Sequence, residues 1–149
     1  MPQLQFASVV NSLTSSDAIT CPIQILVIDR VNGPANVLVD TISLLLSREV
    51  SVTSVDEHAD ALRALDYYHF DLVVVGLQEN QPVQLTILPH IHRQNPDRPI
   101  LAVGRDLPRL VQQYAHTYGA REVLNMPERA ADLKTLVAEM DERYLHPLC

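Results

Sequence analysis

The stretch Phe70–Leu77, F-D-L-V-V-V-G-L, constrains the fold more than any other part of the chain. It is almost continuously apolar, rich in β-branched residues and too short for a buried helix. A run of this kind, without polar alternation, reads as a strand covered on both faces, the middle of a parallel sheet. In open parallel sheets, chemistry gathers just beyond the carboxyl ends of the strands. Here that end is Gly76, which brings no side chain.

The rest of the chain supplies the neighbours. Ile23–Asp29 reads as a first strand, Ser51–Val55 as a second nearer an edge, Ile100–Val103 as a fourth ending at Gly104, and Arg121–Leu124 as a short fifth. A first helix is expected from the Asn32-Gly33-Pro34 turn to Arg48, with Leu38, Ile42, Leu45 and Leu46 on one face. Asp56 is expected to cap a second helix, with Ala59, Leu62 and Leu65 inward and Tyr67 and Tyr68 closing it. After a polar loop, Gln78–Pro82, a third helix covers Val83–Gln94 with Pro89 inside it. A proline there removes a backbone hydrogen bond and clashes with the preceding turn, at about 3 kcal/mol, so a kink or a restart near Pro89 is expected. Asn95–Pro99 is a turn. The fourth helix is expected to start at Asp106, to bury Leu107, Leu110, Val111, Tyr114 and Tyr118, and to stop at a left-handed Gly119. Pro127 opens a fifth, with Leu133, Leu136, Val137, Met140 and Tyr144 inward.

Five alternating strand–helix units imply a parallel sheet with right-handed crossovers and helices on both faces. The expected organisation is one domain, residues 21–149, after a Ser-, Thr- and Asn-rich stretch over residues 1–20. Within that stretch Phe6, Val9, Val10 and Leu13 fall at helical spacing, which fits either a short docking helix or a frayed tail.

Composition excludes several function classes. A net charge of −7 argues against a nucleic-acid surface on this domain. No apolar run approaches the roughly 18 residues of a membrane span. Nothing at the N-terminus resembles a signal peptide, so a cytoplasmic location is expected. Cys21 and Cys149 read as two reduced thiols. His90 and His92 are two apart, on different faces of a helix, and His58, His69, His116 and His146 are isolated; no metal pair results. No Gly-rich phosphate loop and no G-x-S-x-G elbow occur, and no nucleophile stands with a base, so no enzymatic activity is expected.

Four segments, in order and at matching spacing, give the chain a resemblance to the receiver domains of two-component response regulators. They are I-L-V-I-D (Ile25–Asp29), F-D-L-V-V-V-G-L (Phe70–Leu77), R-P-I-L-A-V-G (Arg98–Gly104) and G-A-R-E-V-L-N-M-P (Gly119–Pro127). The resemblance implies a flavodoxin-like (βα)5 doubly wound parallel sheet of strand order 2-1-3-4-5. In that family a central aspartate accepts a phosphoryl group. An acidic pair binds Mg²⁺, and a hydroxyl and a lysine contact the phosphoryl oxygens. Carried over, the acceptor position is Gly76, the acidic pair is Asp29 and Arg30, the hydroxyl position is Gly104 and the lysine position is Met126. The only lysine, Lys134, lies well into the fifth helix. Asp71 sits at the wrong end of its strand, about 15 Å from the active edge. Glu79 reads as a solvated loop residue, and Arg30 as a cation free to pair with Asp29, Asp56 or Glu79.

A pseudo-receiver is therefore expected: scaffold kept, phosphorylation site lost, no cofactor and no metal. The resemblance implies a signalling or regulatory interaction module, with the input domain of a transcription regulator as one setting. It would meet itself or a protein partner through the fourth helix, fifth strand and fifth helix. Arg109, Gln112, Gln113 and His116 lie on the fourth helix, against Glu128, Asp132, Glu139 and Glu142 on the fifth. The alternative is a module that binds a small anion in the vacated pocket around Gly76 and Gly104, lined by Arg30 and Met126.

Overall fold

The protein is described by a computed structural model covering residues 22–46, 49–78 and 82–145. The expected segment at residues 6–13, both cysteines, Arg48, Glu79 and His146 lie outside the described residues. Five strands, β1 (Ile23–Ile28), β2 (Val50–Val55), β3 (Leu72–Gly76), β4 (Ile100–Gly104) and β5 (Glu122–Asn125), alternate with five helices. These are α1 (Pro34–Leu45), α2 (His58–Tyr67), α3 (Leu88–Gln94), α4 (Arg109–Thr117) and α5 (Ala130–Tyr144). The strands pair in parallel in the order β2-β1-β3-β4-β5, the flavodoxin-like order.

The sheet is central because its strands are apolar on both sides. Ile25, Val27, Leu72, Val74, Leu101 and Val103 pack with α1 and α5. Leu26, Ile28, Val73, Val75, Ile100 and Ala102 face the other way, toward α2, α3 and α4. Each such Val, Ile or Leu contributes about 1.5–3 kcal/mol on burial. β2 is an edge strand, as its alternation predicts, and half its residues are exposed.

Proline sets the third crossover. A 3-10 turn spans Pro82–Ile87, and the α-helix restarts at Leu88, with Pro89 in its first turn, where a missing N–H is harmless. Asp71 opens β3 as a tie between strands: its Oδ2 accepts from the Gln24 N–H at 2.8 Å.

Several sequence-based expectations are corrected. Neither Asp56 nor Asp106 caps a helix; the cap positions are Glu57 and Pro108, and neither makes a side-chain cap bond. Asp106 lies in a left-handed turn (φ 50°), which a short polar side chain tolerates. Ala59 is exposed, and Ala61 and Ala64 take its inward place. Leu45 is exposed because α1 ends there. α5 begins at Ala130 rather than Pro127.

The largest correction concerns α4. Leu110 (56% exposed), Tyr114 (46%) and Tyr118 (41%), expected inside, form a stripe on the outer surface. The helix starts at Arg109, so Leu107 is a buried loop residue, and the inward side of α4 is carried by Val111 and Ala115. The Tyr114 and Tyr118 rings stack with centroids 6.2 Å apart.

Candidate functional site

The carboxyl edge of the sheet gathers the residues singled out in the sequence. Asp29 follows β1, Gly76 ends β3, Gly104 ends β4 and Met126 follows β5. The structure joins them in two pairs.

The first pair is Asp29 with Gly76. Asp29 is 1% exposed and turned inward. Its Oδ1 accepts from the Arg30 N–H and its Oδ2 from the Ala35 N–H, both at 2.8 Å. Ala35 is in the first turn of α1, whose N-cap residue, Gly33, has no side chain to offer. Asp29 therefore caps α1 from the preceding strand, satisfying a donor the helix leaves open. Glycine is required on both sides of it. A Cβ on Gly33 or on Gly76 would lie 2.2 Å from the Asp29 carboxylate group. The place beside the acceptor position is thus filled by the carboxylate itself.

Burial pushes the Asp29 carboxyl above its ordinary value, against the backbone hydrogen bonds and the Arg30 charge, which pull it down. With the folded value raised, this group's contribution to stability is full in acid and is lost as pH rises through the folded value. Asp29 therefore does not drive acid unfolding.

The second pair is Gly104 with Met126. The Met126 N–H donates to the Gly104 carbonyl at 2.8 Å, and its side chain is buried. Above Gly104 sits Leu107, whose side chain would be 2.5 Å from an added Cβ. Asn125 holds that loop in place: its Oδ1 accepts from the Leu107 N–H at 3.0 Å. Asn125 and Gly33 are the working residues that the sequence reading missed. The only sequence signal for either was a polar or turn residue beside a matched position.

The vacated pocket is accordingly corrected. The two glycines leave no hollow, because Asp29 and Leu107 occupy the space. The cavity at this edge lies further out, about 300 Å³, between the β4–α4 and β5–α5 loops, lined by Arg105, Asp106, Met126, Pro127 and Glu128. Arg30 is exposed and does not line it. Nor do the residues fit the Mg²⁺ that a receiver holds. The one carboxylate of the set spends both oxygens on backbone donors, and the other positions of the set, Arg30, Gly76, Gly104 and Met126, supply no oxygen-bearing side chain. Among the described residues no group of three or more His, Cys, Asp or Glu is placed to hold a metal ion. None of the described helices is long and apolar enough to cross a membrane.

On the α4 and α5 surface the polar residues divide. Arg109 and Gln113 are exposed. Gln112 turns back, its Nε2 donating to the Leu107 carbonyl at 2.9 Å, and the His116 ring meets the Ala120 carbonyl at 3.2 Å. The α5 acids are partly matched at home: Asp132 lies 3.7 Å from Arg129, and Glu139 lies 3.9 Å from Arg143. Arg143 also pairs with Glu122 of β5 at 2.6 Å, and the Tyr144 hydroxyl donates to the same carboxylate.

Burial, then that carboxylate, pushes the Tyr144 phenol up to about 12. Tyr144 is expected to give a late phase near pH 12 in a spectrophotometric titration, and Tyr144→Phe to remove that phase. The raised value means its stabilising contribution is full below the ordinary phenol value of 10.0 and falls away as pH approaches 12. A titration in which no tyrosine ionises late would contradict this placement.

No protein-family model and no curated protein matches the chain. Solved structures do. The chain is similar to an orphan response regulator of H. pylori at 21% identity and a TM-score of 0.62, over 82% of this chain and 96% of that one. It is similar to the phosphorylated cyanobacterial phytochrome response regulator RcpA at 13% identity and a TM-score of 0.68, over 87% and 98%. A CheY-like protein, TadZ, from Pseudomonas aeruginosa matches at 17% identity and a TM-score of 0.64, over 87% and 99%. The structural neighbours are receiver domains, and what they share with this chain is the fold.

Proposed function

We propose that this chain is a signalling or regulatory interaction module that works without phosphorylation and assembles with a second copy of itself through the α4 face. The observation that carries this reading is the outer stripe Leu110, Tyr114 and Tyr118. Aromatic rings with a polar tip are the side chains most often found as anchors at interfaces. A two-fold contact would set each stripe against the other, with Arg109 facing the acids of the partner's fifth helix. Independence from phosphorylation is supported by Asp29, whose carboxylate is used up as the cap of α1 beside a glycine at the acceptor position. The input domain of a transcription regulator is one setting in which such a module serves.

Light scattering after size-exclusion chromatography tests both halves. Wild type is expected to be a dimer, unchanged by a phosphodonor analogue with Mg²⁺. Tyr114→Glu is expected to raise the dissociation constant about 100-fold or more, at unchanged circular dichroism. A monomeric wild type, or a dimer that forms only with phosphodonor and Mg²⁺, overturns the reading.

A further inference from the structure

A cavity lies at the opposite, amino edge of the sheet. It has a volume of about 640 Å³ and opens between the last turns of α3 and α4. Arg93, Arg98 and Arg121 line it with His92 and His116, and no Asp or Glu does. In a chain with net charge −7, three of the ten arginines thus converge on one hollow.

Arg98 is the second, independent sign. It is only 8% exposed, and burial lowers its pKa from the ordinary value. A guanidinium buried this far is normally matched by a carboxylate or a full set of acceptors. Arg98 has neither among the described residues: Nε has no hydrogen-bond partner, and Nη2 reaches the Ile91 carbonyl and Gln94 Oε1 only at 3.5 Å. Arg121 is committed no further than one 3.3 Å contact from Nη2 to the Asp97 carbonyl. Carbonyls at the two helix ends explain why cations gather here but do not neutralise them.

We propose that this cavity binds a phosphate monoester carrying a ring. Arginines grip phosphate through paired N–H donors. The volume exceeds what a bare ion needs and falls in the range of roughly 300–1,000 Å³ typical of small-molecule sites. Pro89, Pro96 and Tyr118 supply an apolar wall for the ring. The site requires neither the α4 dimer nor the carboxyl edge, although Tyr118 is shared with the α4 stripe.

The test is a nitrogen-15 NMR titration of the full chain with adenosine 5′-monophosphate, inorganic phosphate, and sodium chloride at equal ionic strength. The nucleotide is expected to give saturable shifts at the Arg98 Nε–H and at the Gly119 and Ala120 amides, with tighter binding than inorganic phosphate. Arg93→Glu with Arg121→Glu, both exposed positions, is expected to weaken binding at least about tenfold at unchanged circular dichroism. The proposal is overturned by any of four results: no saturable nucleotide shift, a nucleotide no tighter than phosphate, equal shifts with sodium chloride, or binding that survives the double reversal.

Discussion

Gly76→Ala is expected to destabilise the fold by about 3 kcal/mol, a large value for one added methyl and near the upper end for overpacking. The new Cβ would lie 2.2 Å from the Asp29 Cγ. That carboxylate has nowhere to go. Its two oxygens are held by the Arg30 and Ala35 N–H groups, and Gly33 closes the other side just as tightly. Asp29→Ala alone is expected to cost about 0.5–2 kcal/mol for the lost cap. The double variant should therefore be more stable than Gly76→Ala alone, because removing the carboxylate opens the space. Urea unfolding of the four proteins measures the coupling; strictly additive effects would show that Asp29 and Gly76 do not share one space. The same geometry predicts that Gly76→Asp does not rebuild a receiver's phosphorylation site. It sets a second carboxylate against the first.

Gly119→Ala is expected to cost about 2–4 kcal/mol, from two sources that add. The residue has φ +124°, a conformation that side chains rarely adopt, and its Cβ would meet the His92 Cβ at 2.7 Å. The colliding atom is the root of a side chain and cannot swing away. Gly104→Ala is the control. Its nearest neighbour is the end of the Leu107 side chain, which can turn, and its φ is not positive. Thermal unfolding should place Gly119→Ala well below Gly104→Ala. The reverse order would mean that the α4–β5 turn adapts more freely than its contacts imply.

These two glycines show what was legible in the sequence. Gly119 ended a helical pattern, and its left-handed stop follows from local rules alone. The unbroken apolar run of β3 and the restart at Pro89 were equally local, since each depends on periodicity or on the chemistry of one residue; the strand order was implied by the resemblance to receiver domains and not by any local pattern. Gly76 was legible only as an absence. What stands beside it is Asp29, brought back by a tie to α1, and such a tie leaves no spacing signature. The face of α4 was misread for a related reason. Leu107, Leu110, Val111, Tyr114 and Tyr118 fit one helical stripe only if the helix starts before Leu107. Starting at Arg109, it turns the small Ala115 to the sheet and the rings to solvent. Arg93, Arg98 and Arg121 come from two loops and a helix end, and nothing in the linear order announces their convergence.

Tyr118 belongs to two surfaces at once. Its ring ends the outer stripe of α4, stacked on Tyr114, and also walls the basic cavity. Occupancies that share a side chain are linked by mass action: whatever factor a bound anion applies to self-association, the assembled form must apply to the anion's affinity. The proposed anion site and the proposed dimer face would then make up one reversible, ligand-linked equilibrium, at the end of the sheet opposite Asp29 and Gly76.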